Sequence, residues 1–399
     1  MADNTKKPKI VLAYSGGLDT SVILKWLINT YNAEVIAYCS DVGQKEDLEA
    51  VKEKAFKTGA VDAVIEDLKE EFARNYIFPA LRGNALYEGI YLLGTSIARP
   101  LIAKRQIELA SEIGADYVAH GATGKGNDQV RFELAYAAIN PKIKVIAPWR
   151  VWDISSRTEL IDYAGKNGIH VPVTKEKPYS SDRNLFHISY EGGILEDLNN
   201  SPDESMFEIT VSPANAPDKP EKVEISYENG NPVYLNGHQE TPFNMIEKLN
   251  IIAGRNGIGR ADVVETRITG MKSRGIYETP AGTLLQFVHR ALEAITLTGE
   301  EIELKDGLLP KYSKLIYEGN WFSPEFKALQ TMIDSTQQNV FGVIGLELYK
   351  GNMKILYRKS DKSLYSKSIV TFEDDKGSYS QQDATGFINL KALRFKLRK

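Results

Sequence analysis

The sequence is poor in cysteine: Cys39 is the one cysteine among 399 residues. A single thiol excludes an internal disulfide and a zinc site built from cysteines. Cys39 follows the apolar residues 35–38, which predicts a small buried strand residue rather than a nucleophile. The five histidines lack the spacing of metal ligands, so we expect no metal site built by the protein's side chains alone.

Long apolar runs and an excess of basic charge are also missing. No apolar stretch approaches the roughly 18 residues that a membrane-spanning helix needs. The polar, lysine-containing residues 1–10 do not resemble a signal peptide. The net charge is −4, from 49 Lys and Arg against 53 Asp and Glu, which does not favour nucleic-acid binding. We therefore expect a cytoplasmic protein that binds neither membranes nor nucleic acids.

The first part of the chain, residues 1–168, alternates short apolar runs with helical patterns. The predicted strands are residues 10–14, 34–39, 61–65, 116–120 and 143–148, and the predicted helices are 21–31, 47–58 and 99–113. Apolar strands separated by helices are typical of a parallel sheet covered on both faces. We expect a doubly wound α/β nucleotide-binding domain, with ligands at the carboxyl ends of its strands.

The pattern changes after residue 168. Residues 169–181, with Pro172 and Pro178, predict a crossing between domains, and the proline-rich residues 199–220 predict a surface excursion. Hairpins are expected at Asn229-Gly230 and Gly351-Asn352, and helices at 243–253 and 283–297. Residues 169–380 thus predict an α+β domain. Residues 381–399 predict a helical tail, which either docks on a neighbouring subunit or is an ordinary terminal helix.

The segment Ser15-Gly16-Gly17-Leu18-Asp19-Thr20-Ser21 lies between the first strand and the first helix. Its glycines allow a tight turn and a close approach to a ligand. Its hydroxyls, its backbone N–H groups and the helix N-terminus form a cradle for an anion, suited to phosphate. The segment lacks the lysine of the nucleotide triphosphatase loop. Asp19 would repel phosphates unless Mg²⁺ accompanies the nucleotide. The alternative, a turn with Asp19 or Thr20 capping the helix, explains the full set less well.

A second glycine-rich segment, residues 121–128, leaves the fourth predicted strand and enters a helix. Backbone N–H groups and the hydroxyl of Thr123 can bind a carboxylate there. From the residues alone, Asn127 and Asp128 fit this role and simple capping of the following helix about equally well.

The first of these loops resembles the pyrophosphate-binding loop of the N-type ATP pyrophosphatases, which cleave ATP between the α and β phosphates. The segments 91–100, 120–131, 179–180, 187–191 and 270–280 resemble the argininosuccinate synthase family, in register from about residue 9 to residue 390. The resemblance implies an ATP-dependent carbon–nitrogen ligase that joins citrulline to aspartate through a citrullyl-adenylate. It also implies release of AMP and pyrophosphate, ATP with Mg²⁺ as the nucleotide substrate, and a homotetramer.

The resemblance also implies the residues of the site. The catalytic residues that it implies are Ser15 and Asp19. The ATP contacts are Ala13, Tyr14, Ser15, Gly16, Gly17, Leu18, Asp19, Thr20, Ser21, Ser40 and Gly121. The citrulline contacts are Tyr91, Ser96, Asn127, Arg131, Ser180, Ser189, Glu265 and Tyr277, and the aspartate contacts are Thr123, Asn127 and Asp128. Because these residues come from both halves of the chain, the site is expected between the domains.

Several roles stay open on the residues alone. Tyr91 and Tyr277 could be half-buried packing residues. His120 could assist proton transfer or be a structural histidine. Lys272 and Arg274 could reach phosphates or a neighbouring subunit, or belong to a solvated turn. No general base for the aspartate amine can be named.

Three other functions fit the residues less well. A tRNA-thiolating enzyme of the same loop class needs catalytic cysteines or a metal cluster, and a glutamine-dependent amidotransferase needs a nucleophilic cysteine or a glutaminase domain. A nucleotide-binding sensor would have no use for the second glycine-rich loop. Pyrophosphate release that requires citrulline would separate the ligase from all three.

Overall fold

The computed structural model describes residues 7–169 and 179–398. Most of the predicted domain crossing, including Pro172 and Pro178, lies outside these ranges. Within them, no helix combines the length and the apolar character that a membrane crossing requires.

The N-terminal part is built around a five-stranded sheet in the order β3-β2-β1-β4-β5. All four strand pairings are parallel, which confirms the predicted α/β architecture. The strands are β1 (Lys9–Ala13), β2 (Glu34–Asp41), β3 (Asp62–Asp67), β4 (Tyr117–Ala119) and β5 (Lys144–Ile146). The helices are α1 (Leu18–Tyr31), α2 (Leu48–Thr58), α3 (Lys69–Phe72), α4 (Phe78–Arg82), α5 (Gly94–Glu112), α6 (Asp128–Ile139) and α7 (Arg157–Lys166).

Local sequence explains most of these boundaries. Asp47 caps α2 by accepting a hydrogen bond from the backbone of Ala50, and Gly59 ends that helix in the left-handed conformation at φ 112°. The predicted start of α5 at Arg99 was wrong, because α5 begins at Gly94. Leu93, at φ 65°, precedes it in the left-handed region, an unusual conformation for a leucine.

The second part carries two antiparallel sheets, in the orders β10-β9-β8-β13-β14 and β11-β12-β7-β6. Its strands are β6 (Ser180–Arg183), β7 (Ile188–Glu191), β8 (Glu221–Glu228), β9 (Asn231–Leu235), β10 (His238–Gln239), β11 (Arg260–Thr266), β12 (Lys272–Glu278), β13 (Gly342–Tyr349) and β14 (Asn352–Lys359). Its helices are α8 (Pro242–Arg255), α9 (Pro280–Thr296), α10 (Gly299–Tyr317), α11 (Pro324–Thr336), α12 (Lys367–Val370) and α13 (Asp383–Lys396).

Both predicted hairpins are present, as β8–β9 and β13–β14. The smaller sheet and helices α10 and α11 were not predicted. One hydrophobic core runs through both parts: Leu81 and Leu93 of the first pack in the same cluster as Leu285 and Ile316 of the second. The two parts therefore share a packed interface, and the smaller sheet lies beside it.

Candidate active site

A cavity of about 260 Å³ lies between the parallel sheet and the smaller antiparallel sheet. It is lined by the start of α5, by the glycine-rich residues 121–128 and by strands β7, β11 and β12. Nine of the predicted substrate and nucleotide contacts line it: Tyr91, Gly121, Thr123, Asn127, Asp128, Arg131, Ser189, Glu265 and Tyr277. The structure thus brings together residues that are far apart in the sequence: Tyr91 and Tyr277 are separated by almost 190 positions.

The floor of the cavity is a chain of paired charges. Arg99 donates to Asp128 at 2.8 Å and pairs also with Asp182. Arg131 donates to the other oxygen of Asp128, again at 2.8 Å. Burial would raise the pKa of the Asp128 carboxyl, but Arg99 and Arg131 hold that pKa at about 2. Asp128 therefore stays ionised, and both of its oxygens accept hydrogen bonds from arginines.

A second network fixes Glu265. Its carboxylate accepts hydrogen bonds from the hydroxyls of Tyr277 at 3.0 Å and Tyr317 at 2.8 Å. Tyr317 in turn accepts from the side-chain amide of Asn127 at 2.9 Å, and Asn127 accepts from the backbone of Ile268 at 3.0 Å. Burial raises the pKa of Glu265. Asn127, in the first half of the chain, is thus oriented by two residues of the second half.

Aromatic rings form the wall between these networks. Tyr91 stacks on Tyr277, with ring centroids 4.4 Å apart. The His187 ring is also stacked with Tyr277, at 5.9 Å between centroids, and lies 6.3 Å from the Tyr91 ring. It packs against Gly94, where a Cβ would lie 2.4 Å from its ring. Its Nε2 is 2.9 Å from the hydroxyl of Thr95, which faces the cavity. Tyr91 and Tyr277 are therefore buried packing residues that also line the cavity, and their contact with citrulline stays a prediction.

His120 is fully buried and does not line the cavity among the described residues. Its Nδ1 accepts from the backbone of Ala122 at 3.3 Å, and its Nε2 bonds Glu133 at 3.0 Å. Glu133 also pairs with Arg150 at 2.7 Å. These contacts hold the start of the glycine-rich loop, which favours the structural interpretation of His120 over proton transfer.

Residues 15–21, the predicted phosphate loop, span the turn after β1 and the first turn of α1. Gly16 adopts φ 73°. The hydroxyls of Ser15 and Thr20 lie 3.2 Å apart, and Ser21 donates to the carbonyl of Gly17 at 2.7 Å. The N-cap of α1 is Gly17, which has no side chain to cap the helix. Asp19 and Thr20 lie inside the first turn, so neither occupies the cap position that the alternative interpretation required.

The phosphate loop adjoins the cavity. An ideal Cβ on Gly121 would lie 3.1 Å from the Thr20 methyl group, so the two glycine-rich loops are in contact. Ala13 ends β1, Ser40 lies near the end of β2, and Gly121 follows β4. These positions share the carboxyl edge of the sheet, as expected for this architecture. The Ser40 carbonyl accepts from the side chain of Gln44 at 2.8 Å.

Two predicted citrulline contacts, Ser180 and Ser96, do not line the cavity, and neither do the basic residues Lys272 and Arg274, whose roles were open. Ser180 is exposed at the start of β6. Ser96 is fully buried in the first turn of α5, and among the described residues its hydroxyl has no hydrogen-bond partner. Arg274 pairs with Asp262 and donates to the carbonyl of Asn200 at 2.8 Å, while Lys272 donates to Thr266 at 2.5 Å. The contacts of Lys272 and Arg274 brace the β11–β12 hairpin.

Sequence reasoning missed four charged residues that line the cavity: Arg99, Asp182, Glu191 and Arg267. Arg99 and Glu191 lie inside the segments 91–100 and 187–191, which resemble the family, so the sequence does contain a signal for these two residues. No sequence motif around Asp182 or Arg267 indicates a role in the site. Asp182 reaches the cavity because β6 pairs with β7, and Arg267 reaches it because it follows the end of β11.

Comparison with known proteins agrees with the geometry. The family model described as "Arginosuccinate synthase N-terminal HUP domain" matches residues 9–170, and "Arginosuccinate synthase C-terminal domain" matches residues 179–398. An argininosuccinate synthase from Desulfatibacillum aliphaticivorans is 60% identical over 390 residues, which is 98% of this chain and 97% of the relative. One from Syntrophobacter fumaroxidans (strain DSM 10017 / MPOB) is 59% identical over 389 residues, with the same shares covered.

Among solved structures, the U34-tRNA thiolase NcsA from Methanococcus maripaludis with its [4Fe-4S] cluster is 19% identical, with a TM-score of 0.28. The likeness covers 43% of this chain and 61% of that one, and at this level it carries no argument.

A nucleotide-binding HUP sheet joined to a charged cavity, together with these relatives, defines an ATP-dependent carbon–nitrogen ligase. The chain belongs to the argininosuccinate synthase family. Enzymes of this family join citrulline to aspartate at the expense of ATP and release AMP and pyrophosphate.

Proposed function

We propose that ATP lies along the carboxyl edge of the parallel sheet, with its pyrophosphate end in residues 15–21 and its α-phosphate facing the cavity. The observation that carries this proposal is the contact between Gly121 and Thr20, because it makes the phosphate loop and the cavity adjoin. The proposed ATP contacts are Ala13, Tyr14, Ser15, Gly16, Gly17, Leu18, Asp19, Thr20, Ser21, Ser40 and Gly121.

The charge pattern of the cavity supports binding of two amino acids. It presents both cations and anions: Arg99, Arg131, Arg267, Asp128, Asp182, Glu191 and Glu265. Each amino-acid substrate brings an α-carboxylate and an α-ammonium, so it needs partners of both signs. We assign citrulline to Tyr91, Ser96, Asn127, Arg131, Ser180, Ser189, Glu265 and Tyr277, and aspartate to Thr123, Asn127 and Asp128. Ser96 and Ser180 do not line the cavity, so their assignment to citrulline rests on the family resemblance alone.

The proposed reaction requires the α-phosphate of ATP, citrulline and aspartate to lie close together. Resonance makes the ureido carbon of citrulline a poor electrophile. The ureido oxygen attacks the α-phosphorus, and the bond from that phosphorus to the bridging oxygen breaks, so pyrophosphate leaves with the electron pair. The amine of aspartate then attacks the activated carbon. AMP leaves with the former ureido oxygen, and the amine loses its proton. Ser15 is proposed to donate a hydrogen bond to the departing pyrophosphate.

Asp19 is proposed to hold the Mg²⁺ that accompanies ATP. Mg²⁺ is bound through one or two carboxylates, phosphate oxygens and water, and a carboxylate in the first turn of α1 beside the phosphate loop fits that donor set. Bound Mg²⁺ supplies charge that offsets the phosphates. Among the described residues, no group of three or more His, Cys, Asp and Glu side chains could hold a metal ion, so phosphate oxygens would complete the ligand set.

We also propose a cytoplasmic homotetramer in which the tail helix α13 docks on another subunit. None of the described α13 residues is buried. Its apolar side chains Phe387, Leu390 and Phe395 are 61%, 71% and 65% exposed, which leaves an apolar face that favours a partner. Truncation after residue 380 should lower the native mass measured by sedimentation, whereas an unchanged tetramer would show that other surfaces hold it together.

Product analysis tests the function. Purified protein should release pyrophosphate from ATP only when citrulline is present. With citrulline labelled at the ureido oxygen, the label should appear in AMP after aspartate is added. Formation of ADP and orthophosphate, or label in pyrophosphate, would contradict attack at the α-phosphorus.

A further inference from the structure

A lysine from outside the phosphate loop reaches it. The Nζ of Lys54, in helix α2, donates to the carbonyl of Gly16 at 2.6 Å. The two residues are 38 positions apart in the sequence. The loop has no lysine of its own, but the folded chain places the ammonium of Lys54 against it.

Helix α2 packs directly on the loop at this point. An ideal Cβ on Gly16 would lie 3.0 Å from the Val51 side chain, so a larger residue there would collide with α2. Val51, Lys54 and Thr58 are spaced three and four apart, which places them on one face of the helix. Thr58 is buried and its hydroxyl donates to the Lys54 carbonyl at 2.7 Å. The base of Lys54 is therefore fixed, and its ammonium is directed at the loop.

The charge of Lys54 is not neutralised within the described part of the chain, where its ammonium forms no ion pair with a carboxylate. Burial lowers its pKa. An ammonium has three donors, and the Gly16 carbonyl accepts one of them. Lys57, on the same helix, is a useful contrast: its side chain is 76% exposed and pairs with Glu53 at 3.1 Å. A partly buried cation that lacks such a counter-ion is costly to the protein alone.

We propose that Lys54 binds the β and γ phosphates of ATP and the departing pyrophosphate. This inference rests on the proposed function, in which residues 15–21 hold the pyrophosphate end of ATP. Negative charge accumulates on the pyrophosphate as the bond to the α-phosphorus breaks, and a fixed ammonium stabilises that charge. Lys54 thus supplies from α2 the cation that other phosphate loops carry in their own sequence.

The test compares Lys54→Met and Lys54→Arg with the control Lys57→Met in the full-length protein. Binding of pyrophosphate and of AMP is measured by calorimetry, and KM is measured for each substrate. Lys54→Met should weaken pyrophosphate binding and raise KM for ATP by about 10- to 100-fold, the loss expected for one charge-assisted hydrogen bond. Affinity for AMP and KM for citrulline and aspartate should change less than about twofold. Lys54→Arg should retain part of the affinity, and Lys57→Met should match the wild type.

The outcomes separate the two claims. If the wild type forms AMP and pyrophosphate but Lys54→Met binds pyrophosphate as well as the wild type does, the inference about Lys54 is wrong and the proposed function stands. If Lys54→Met weakens AMP and pyrophosphate binding equally, Lys54 only supports the shape of the loop, and the inference is again wrong. If the wild type forms ADP and orthophosphate, the proposed function fails first, whatever the variants do.

Discussion

In the proposed function, the phosphate loop (residues 15–21) and the cavity bind anions in opposite ways. Residues 15–21 use glycines, hydroxyls and a helix N-terminus, with Lys54 as the cation contributed by α2. The cavity floor uses arginines that are already paired with carboxylates, such as Arg99 with Asp128 and Asp182. An unpaired cation adds attraction for a ligand, whereas paired charges mainly fix positions and hydrogen-bond directions. We therefore expect mutations in the loop to alter nucleotide binding and mutations in the cavity floor to alter stability as well.

The largest effect should come from Arg99→Met. Removing this largely buried cation leaves Asp182 without its ion pair and leaves Asp128 with Arg131 alone. Breaking a buried ion pair in this way costs up to about 3–5 kcal/mol. Urea unfolding should show that loss. Arg74→Met, which breaks an exposed pair with Glu70 on α3, should cost less than about 1 kcal/mol. Equal losses in the two variants would show that the cavity floor is not held by its charges.

Asp19→Asn should separate binding from stability. We expect KM for ATP to rise roughly 10- to 100-fold, by analogy with the loss of a residue that supports metal binding. The melting temperature should stay near that of the wild type, because Gly17 and not Asp19 is the N-cap of α1. Glu49→Gln, which alters an acidic residue in the first turn of α2, is the matched control. A large drop in melting temperature with unchanged KM would favour a structural role for Asp19.

The cavity wall should be sensitive to acid through His187. Burial, together with Arg99 and Arg131, lowers the pKa of His187 to about 3. Between pH 6.5 and 3 the unfolded chain therefore binds a proton that the folded chain does not, so the folded state loses stability as the pH falls. One such group contributes about 1.4 kcal/mol per pH unit in this window. His187→Gln should make the dependence of unfolding free energy on pH shallower by that slope, and an unchanged slope would contradict it.

The smallest effect should come from Ser180→Ala. Ser180 is exposed and does not line the cavity, so stability should change by less than about 0.5 kcal/mol. If Ser180 contacts citrulline, KM for citrulline should rise by about 2- to 10-fold, as for one neutral hydrogen bond. Ser189→Ala provides the comparison, because Ser189 lies on the neighbouring strand β7 and lines the cavity. An effect in Ser189→Ala alone would remove Ser180 from the site.

The same contrast explains what the sequence could predict. The phosphate loop is seven consecutive residues, so its chemistry is visible in one segment. Asp182 and Arg267 join the site only after strands pair, and Lys54 belongs to a helix whose charged residues are typical of a solvated face. Helix α10 was not predicted because Pro310 lies in its interior, where proline normally disfavours a helix. Short-range sequence patterns predicted the parallel sheet. The smaller antiparallel sheet and the cavity depend on contacts between distant residues, which such patterns do not reveal.

The close approach of Gly121 to Thr20 has a thermodynamic consequence. A displacement of the first turn of α1 when nucleotide binds would press on residues 121–128, where we propose that aspartate binds. Each ligand would then change the affinity of the other by the same factor, since such linkage is reciprocal. The size of the residue at position 121 would then affect the coupling free energy between the two proposed binding sites.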